Sequence, residues 1–184
     1  MDYGRLGFLT RIYGDQGLRS VPVGALLAGW GLIDPVWPES SLRVTVDLLL
    51  IIAVIAGWIL IGRYYENRFG RVQPRVSRLS LVLDVTAYWA AHWLDTRGLP
   101  VSVASMVVGG WFAKEGFGSS GRRWYFLVPF AAFVVLGLLP LTEVVSVQAV
   151  DGRIFLIALG CAAIFTGVFD HLLLVRSLPV SADA

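Results

Sequence analysis

VTVDLLLIIAVIAGWILIG, residues 44–62, carries a single charged side chain, Asp47. A helix that crosses a bilayer needs about 20 mostly apolar residues, at about 1.5 Å of rise each, and this stretch meets that need. Directly behind it comes RYYENRFGRVQPRVSR, residues 63–78, in which Arg63, Arg68, Arg71, Arg75 and Arg78 accompany one acid, Glu66. Arginine and lysine accumulate on the cytoplasmic flank of membrane spans, so the loop is expected inside. Tyr64 and Tyr65 fall at the boundary where aromatic side chains collect.

The whole chain fits this reading. Of its 184 residues 57% are hydrophobic, and its mean hydropathy is +0.72, too apolar for an ordinary soluble domain. Several spans in so short a chain leave no room for a large domain outside the membrane. The net charge of +2 is small, so the placement of the charges carries more information than their sum. Lys114 is the only lysine, an arginine bias that suits a GC-rich bacterial genome. One cysteine, Cys161, excludes an intramolecular disulfide, a CxxCH haem attachment and any multi-cysteine cluster. MDYGRLGFLTRIYG lacks an unbroken hydrophobic region and a small-residue cleavage site, so the first true span is expected to serve as the insertion signal.

The expected fold is an all-α membrane protein, a polytopic helix bundle occupying residues 41–184. Its spans are expected at 44–62, 79–94, 99–113, 124–146 and 154–175. Residues 1–40 precede the bundle. Within them, residues 3–17 place Leu6, Leu9 and Ile12 or Tyr13 on one face, with Arg5 and Arg11 elsewhere, as an amphipathic helix in the interface would. SVPVGALLAGWGLIDPVWP, residues 20–38, is bracketed by Pro22, Pro35 and Pro38. Its apolar part is about 13 residues, short of a normal span; it reads as a tilted, re-entrant or interfacial segment. The second and third spans are joined by DTRG and are expected to form an antiparallel pair rather than one broken helix, with Pro100 in the first turn of the third. Pro140 should kink or end the fourth.

Five spans put loops 63–78 and 114–123 and the tail from Arg176 in the cytoplasm of a bacterial cell with an inner membrane. Lys114, Arg122 and Arg123 then lie inside, and only Arg97 and Arg153 lie in the outer connections. Arg5, Arg11 and Arg19 argue for an N-terminus on the inside as well. That requires residues 20–34 to cross, and it raises the count to six. No internal repeat stands out.

The sharpest polar pattern is on the second span. Asp84, Tyr88, His92 and Asp95 are spaced i, i+4, i+8, i+11, which holds them on one helical face about 80° wide. Ionisable groups at such depth normally face a bundle interior or a water-filled cavity. The line could pass protons or orient a polar ligand; the plainer reading, and the preferred one, is a stripe that fastens helices by hydrogen bonds. On the last span Ala163, Gly167 and Asp170 share a face whose small residues would admit a close helix contact. Asp47, His92, Asp95 and Glu143 form an expected acidic outer layer. Arg63, Arg68, Arg71, Arg122 and Arg123 are candidate contacts to anionic lipid. GFGSSG, residues 116–121, could hold a phosphate on its backbone NH groups but lacks the GK[ST] of a P-loop; a topogenic connector is preferred.

His92 and His171 are expected near opposite surfaces, so one haem cannot take both, and ligation of haem or a chlorophyll-type pigment by a single histidine is the remaining cofactor reading. No metal site and no resident cofactor are expected. Three function classes remain. The preferred one is a non-enzymatic accessory or structural subunit, set in the lipid bilayer and docking with other membrane subunits or with itself. The others are a small transporter or proton-linked protein using Asp84, His92, Asp170 and Glu143, and a membrane enzyme acting on lipid or quinone at the cytoplasmic interface. No catalytic motif and no nucleic-acid partner are expected.

Overall fold

The computed structural model describes residues 17–33, 41–69, 78–118 and 123–177. Among them every regular element is helical. Helix α1 spans Ser20–Ile33 and is entered through a 3-10 turn, Gly17–Arg19; α2 spans Ser41–Phe69, α3 Arg78–Asp95 and α4 Val103–Gly118. Helix α5, Leu127–Leu138, is flanked by 3-10 turns at Trp124–Phe126 and Leu139–Thr142; α6, Phe155–Ser177, follows a short turn at Val147–Ala149 and a wider-wound stretch at Val150–Ile154.

Three helical runs are long and apolar enough to cross a membrane: Leu42–Phe69, Trp124–Thr142 and Val147–Ser177. Helices α1, α3 and α4 have 14, 18 and 16 residues, at or below the lower edge of the usual spanning length. The architecture is thus helical and compatible with a membrane, and the expected count of five or six crossings exceeds the three runs that qualify by length and composition. Helix α3 also has its polarity inverted relative to a surface helix of a soluble domain. Val82, Leu83, Val85, Trp89 and Trp93 are exposed, whereas Asp84, Tyr88 and His92 are half-buried and Asp95 is buried.

Several helix ends differ from the sequence expectation, each for a local reason. Helix α2 does not stop at Gly62 but winds on to Phe69. Tyr65 and Phe69, one turn apart, pack their rings at 5.7 Å, and i, i+4 pairs of this kind support a helix beyond its apolar run. Arg63 and Arg68 therefore stand on a helix rather than in a loop. Helix α4 begins at Val103, so Pro100 sits in the bend before it and not in its first turn. It also runs on through Lys114 and Glu115 to Gly118. Pro140 ends α5 as expected. Lacking an N–H and crowding the preceding turn, it leaves a 3-10 turn that closes at Glu143, whose φ is 59°. The expected amphipathic segment at residues 3–17 lies outside the described residues except for Gly17.

The chain divides into two compact units, with boundaries inside α1 and α6. The first holds α1 up to Leu26, α2, and α6 from Ala163; the second holds the end of α1, then α3, α4, α5, and α6 up to Ala162. The first unit is centred on Tyr65 and Leu174, both fully buried, with Leu18, Ile61, Phe69 and Leu173 around them. In the second, Val108, Phe133, Phe155 and Ala162 form the core. Phe133 stacks on Phe112 at 5.7 Å and meets Phe155 edge-on at 5.6 Å. Helices α4 and α5 approach closely enough for Ser102 N–H to donate to Gly137 O at 2.9 Å.

Candidate functional site

The polar stripe of α3 lies in the second unit, and its members have separate tasks. Ser80 Oγ donates to Asp84 Oδ2 at 3.4 Å, one turn away. The Tyr88 ring is parallel to the His92 imidazole, 6.2 Å between centroids and 7° between planes. It also packs on Phe155 at 5.6 Å and on Trp111 at 6.4 Å. Tyr88 thus joins the stripe to the hydrophobic core of its unit.

Asp95 is 2% exposed. Its carboxylate accepts from Val103 N–H at 2.7 Å and Ala104 N–H at 2.9 Å, and from the Ser102 hydroxyl at 3.4 Å. The first N–H groups of a helix have no partner within the helix and carry its positive dipole end, so a buried carboxylate there is doubly favoured. Ser102 completes the cap, its Oγ accepting from Ser105 N–H at 3.1 Å. Asp95 therefore fastens the end of α3 to the start of α4. A cleft of about 170 Å³ opens beside it, lined by His92, Asp95, Thr96, Val147, Gln148 and Gly152. Of the expected outer acidic layer, Glu143 stands exposed in its own turn, and Asp47 pairs with Arg43 at 3.7 Å along α2. Arg97 lies over the Trp93 ring at 4.2 Å, and Arg153 Nε donates to Gly31 O at 2.9 Å.

The first unit brings together residues far apart in sequence. Tyr65 Oη and His171 Nδ1 are 2.9 Å apart, and Leu18 N–H donates to the same phenol at 3.4 Å. These contacts are satisfied when the phenol donates to Nδ1 and the ring proton rests on Nε2. Tyr64 and Tyr65 both pack on the imidazole, at 6.2 and 5.8 Å. One helical step away, Asp170 is buried.

In this unit Ala163, Gly167 and Asp170 lie beside Gly17 and Ser20. Ser20 Oγ is 2.8 Å from Ala163 O and 2.7 Å from Gly17 O, so its one proton serves either carbonyl. A Cβ at Gly167 would overlap both Ser20 Oγ and Gly17 O, and one at Gly17 would meet Asp170 Cβ at 2.6 Å. Only glycine permits backbones this close.

Of the candidate lipid contacts, Arg63 and Arg68 are exposed on α2, while Arg71 and Arg122 lie outside the described residues. Arg123 is buried at 2% exposure, with Nη1 3.1 Å from Glu115 Oε2 and its guanidinium 4.7 Å from the Phe126 ring. His92 and His171 belong to different units. Among the described residues no group of three or more His, Cys, Asp or Glu side chains is placed to hold a metal ion. Cys161 is exposed.

Three features escape the sequence reading. The Tyr65–His171 pair joins residues 106 apart and has no local signature. The cap at Ser102 did have one, a serine just before an apolar helical run. The third is Arg19, whose guanidinium lies 4.1 Å from the centroid of the Trp58 ring. Comparison of the chain with protein-family models, with curated proteins and with solved structures finds no match.

Proposed function

We propose that this chain is a non-enzymatic, multi-pass protein of a bacterial inner membrane, a structural or accessory subunit that docks through α2 into a larger membrane assembly. The observation that carries the reading is the state of α2. None of the apolar window of Leu42–Phe69 is buried within the chain, against 33% and 28% for the other two long runs. Leu48, Leu49, Ile52 and Ile55 all stand exposed. Helices in a bundle ordinarily bury a stripe on one another; α2 has only a partly buried one, at Val46, Ile51, Val54 and Ile61, which leaves its opposite, exposed face for another subunit.

The polar side chains support the same reading, because the described ones chiefly fasten helices. Asp95 ties α3 to α4, Ser20 ties α1 to α6, and Tyr65 ties α2 to α6. A proton-linked transporter built on Asp84, His92, Asp170 and Glu143 has less support. Those residues fall in two units, and Glu143 is in an exposed turn.

The same reading takes six crossings, with residues 63–78 and 114–123 on the cytoplasmic side. Residues 20–34 cross in this reading, and Arg5, Arg11 and Arg19 fall on the cytoplasmic side, in keeping with the positive-inside rule.

Photo-crosslinking in cells tests the docking claim. A photoreactive residue at Leu49 or Ile52 is expected to give a discrete protein adduct of constant mass. Adducts to lipid alone at both positions would refute docking through α2.

A further inference from the structure

Arg19 has an unusual setting for a cation. Its guanidinium lies over the indole of Trp58 at 4.1 Å. On α2 one turn later, a Cβ at Gly62 would overlap that same group. The guanidinium is therefore clamped between an aromatic face and bare helix backbone. Its Nε is buried and has no hydrogen-bond partner, and among the described residues no carboxylate is paired with it. Stacking on tryptophan is favourable for a cation but leaves the charge unneutralised. A desolvated charge normally persists only with a counter-ion or full hydrogen bonding.

The depth of the group suggests where the counter-ion comes from. The apolar run of residues 44–62 is centred on Ala53, and Gly62 lies nine residues further along the helix. At 1.5 Å per residue that is about 14 Å from the bilayer centre, against a half-thickness of about 15 Å for the hydrocarbon. The guanidinium thus sits where hydrocarbon gives way to the glycerol and phosphate of the lipids. Arg63 and Arg68, exposed on the following turns of α2, add positive charge on the same side. A guanidinium presents paired N–H donors that match a phosphate's oxygens.

From this arrangement we infer that Arg19, held by Trp58 and Gly62, is the receptor for the phosphodiester of one anionic phospholipid in the cytoplasmic leaflet. Trp58 fixes the plane of the guanidinium and Gly62 makes room for it. The inference rests on the membrane-spanning reading given above.

Native mass spectrometry of the full-length protein, released from detergent micelles, tests it. The probes are phosphatidylglycerol, phosphatidylcholine and inorganic phosphate, each titrated separately and then in competition. The wild type is expected to retain one phosphatidylglycerol in preference to phosphatidylcholine. Arg19→Gln and Gly62→Ala are each expected to lower that retention by about tenfold or more, the usual weight of a charge-assisted contact. Arg19→Lys, which keeps the charge without the planar fork, should fall between. Gly62→Ala leaves the arginine in the chain, so it stands as evidence even where Arg19→Gln fails to fold. Equal retention by wild type, Arg19→Gln and Gly62→Ala overturns the assignment. So does equal retention of the two lipids by wild type, and displacement of phosphatidylglycerol by millimolar inorganic phosphate would make the ligand a free anion instead. Carbonate-resistant flotation of the wild type with vesicles is run alongside. Its failure would remove the membrane reading itself, whereas flotation without selective lipid retention removes only this site.

Discussion

Replacing Asp95 distinguishes a fastening group from a titrating one. In the native protein its carboxylate accepts from two backbone N–H groups at 2.7 and 2.9 Å at the start of α4, in a site where the residue is 2% exposed. Asp95→Leu leaves both donors and the Ser102 hydroxyl without their acceptor. A buried donor left unsatisfied costs about 1–3 kcal/mol, so two place the loss on the order of 2–6 kcal/mol, before any relief from relaxation or water. Asp95→Asn keeps one acceptor oxygen and the size of the side chain. It should lose about 1–2 kcal/mol, the range of a weakened helix cap. For a chain of this length 1 kcal/mol corresponds to about 2–4 °C in Tm, so the leucine variant should melt on the order of 10 °C below wild type and the asparagine variant a few degrees below. Tryptophan fluorescence during heating in mild detergent reads both, since Trp93 and Trp111 lie on the two helices being joined. Equal Tm values for wild type, Asn and Leu would refute the cap. An Asn variant that melts as wild type but has lost a pH response of the protein would instead restore the relay reading of the stripe.

Further expectations follow from the packing. Gly167→Ala alone should destabilise the protein and Gly167→Leu more so, by about 1–3 kcal/mol as overpacking does, because the added carbon meets Ser20 Oγ and the Gly17 carbonyl; an unchanged Tm for Gly167→Leu would count against that contact. Tyr65→Phe should cost about 1 kcal/mol by removing the hydroxyl shared by Leu18 N–H and His171 Nδ1, and a stability equal to wild type would speak against the pair. Glu115→Gln should cost about 1–3 kcal/mol, since it takes the charged partner from an arginine that is 2% exposed. Pairing Glu115→Leu with Arg123→Met should then restore part of the loss, and a double variant no better than the sum of its single changes would contradict this.

What the sequence discloses and what it conceals follow from the range of the interactions. The identity of α2 is legible because length and hydropathy are properties of one continuous segment. The turn at Pro140 is legible for a similar reason, since a missing N–H acts on the residue's own helix. The stripe of α3 can be read as a face, because i, i+4, i+8 spacing defines one. Its use cannot be read: Asp95 caps a helix that begins eight residues later, across a turn whose geometry no pattern specifies. The continuation of α2 to Phe69 is hidden because arginine and tyrosine read equally well as a topogenic loop and as helix. Arg19 is hidden most completely. In sequence it is one more basic residue near an N-terminus, and its position on Trp58 and Gly62 exists only once α1 and α2 are folded.

The measurement that bears most directly on the account is a map of which residues face which side of the membrane. In a Cys161→Ser background, single cysteines would be placed at Asp15, Glu39, Ser120 and Val144 and exposed to an impermeant thiol reagent outside intact cells. Six crossings with residues 63–78 and 114–123 inside predict rapid labelling at positions 39 and 144, and labelling at 15 and 120 only after the cells are permeabilised. Labelling of position 15 from outside would remove the crossing by residues 20–34, and labelling of position 120 from outside would contradict the orientation of the whole bundle.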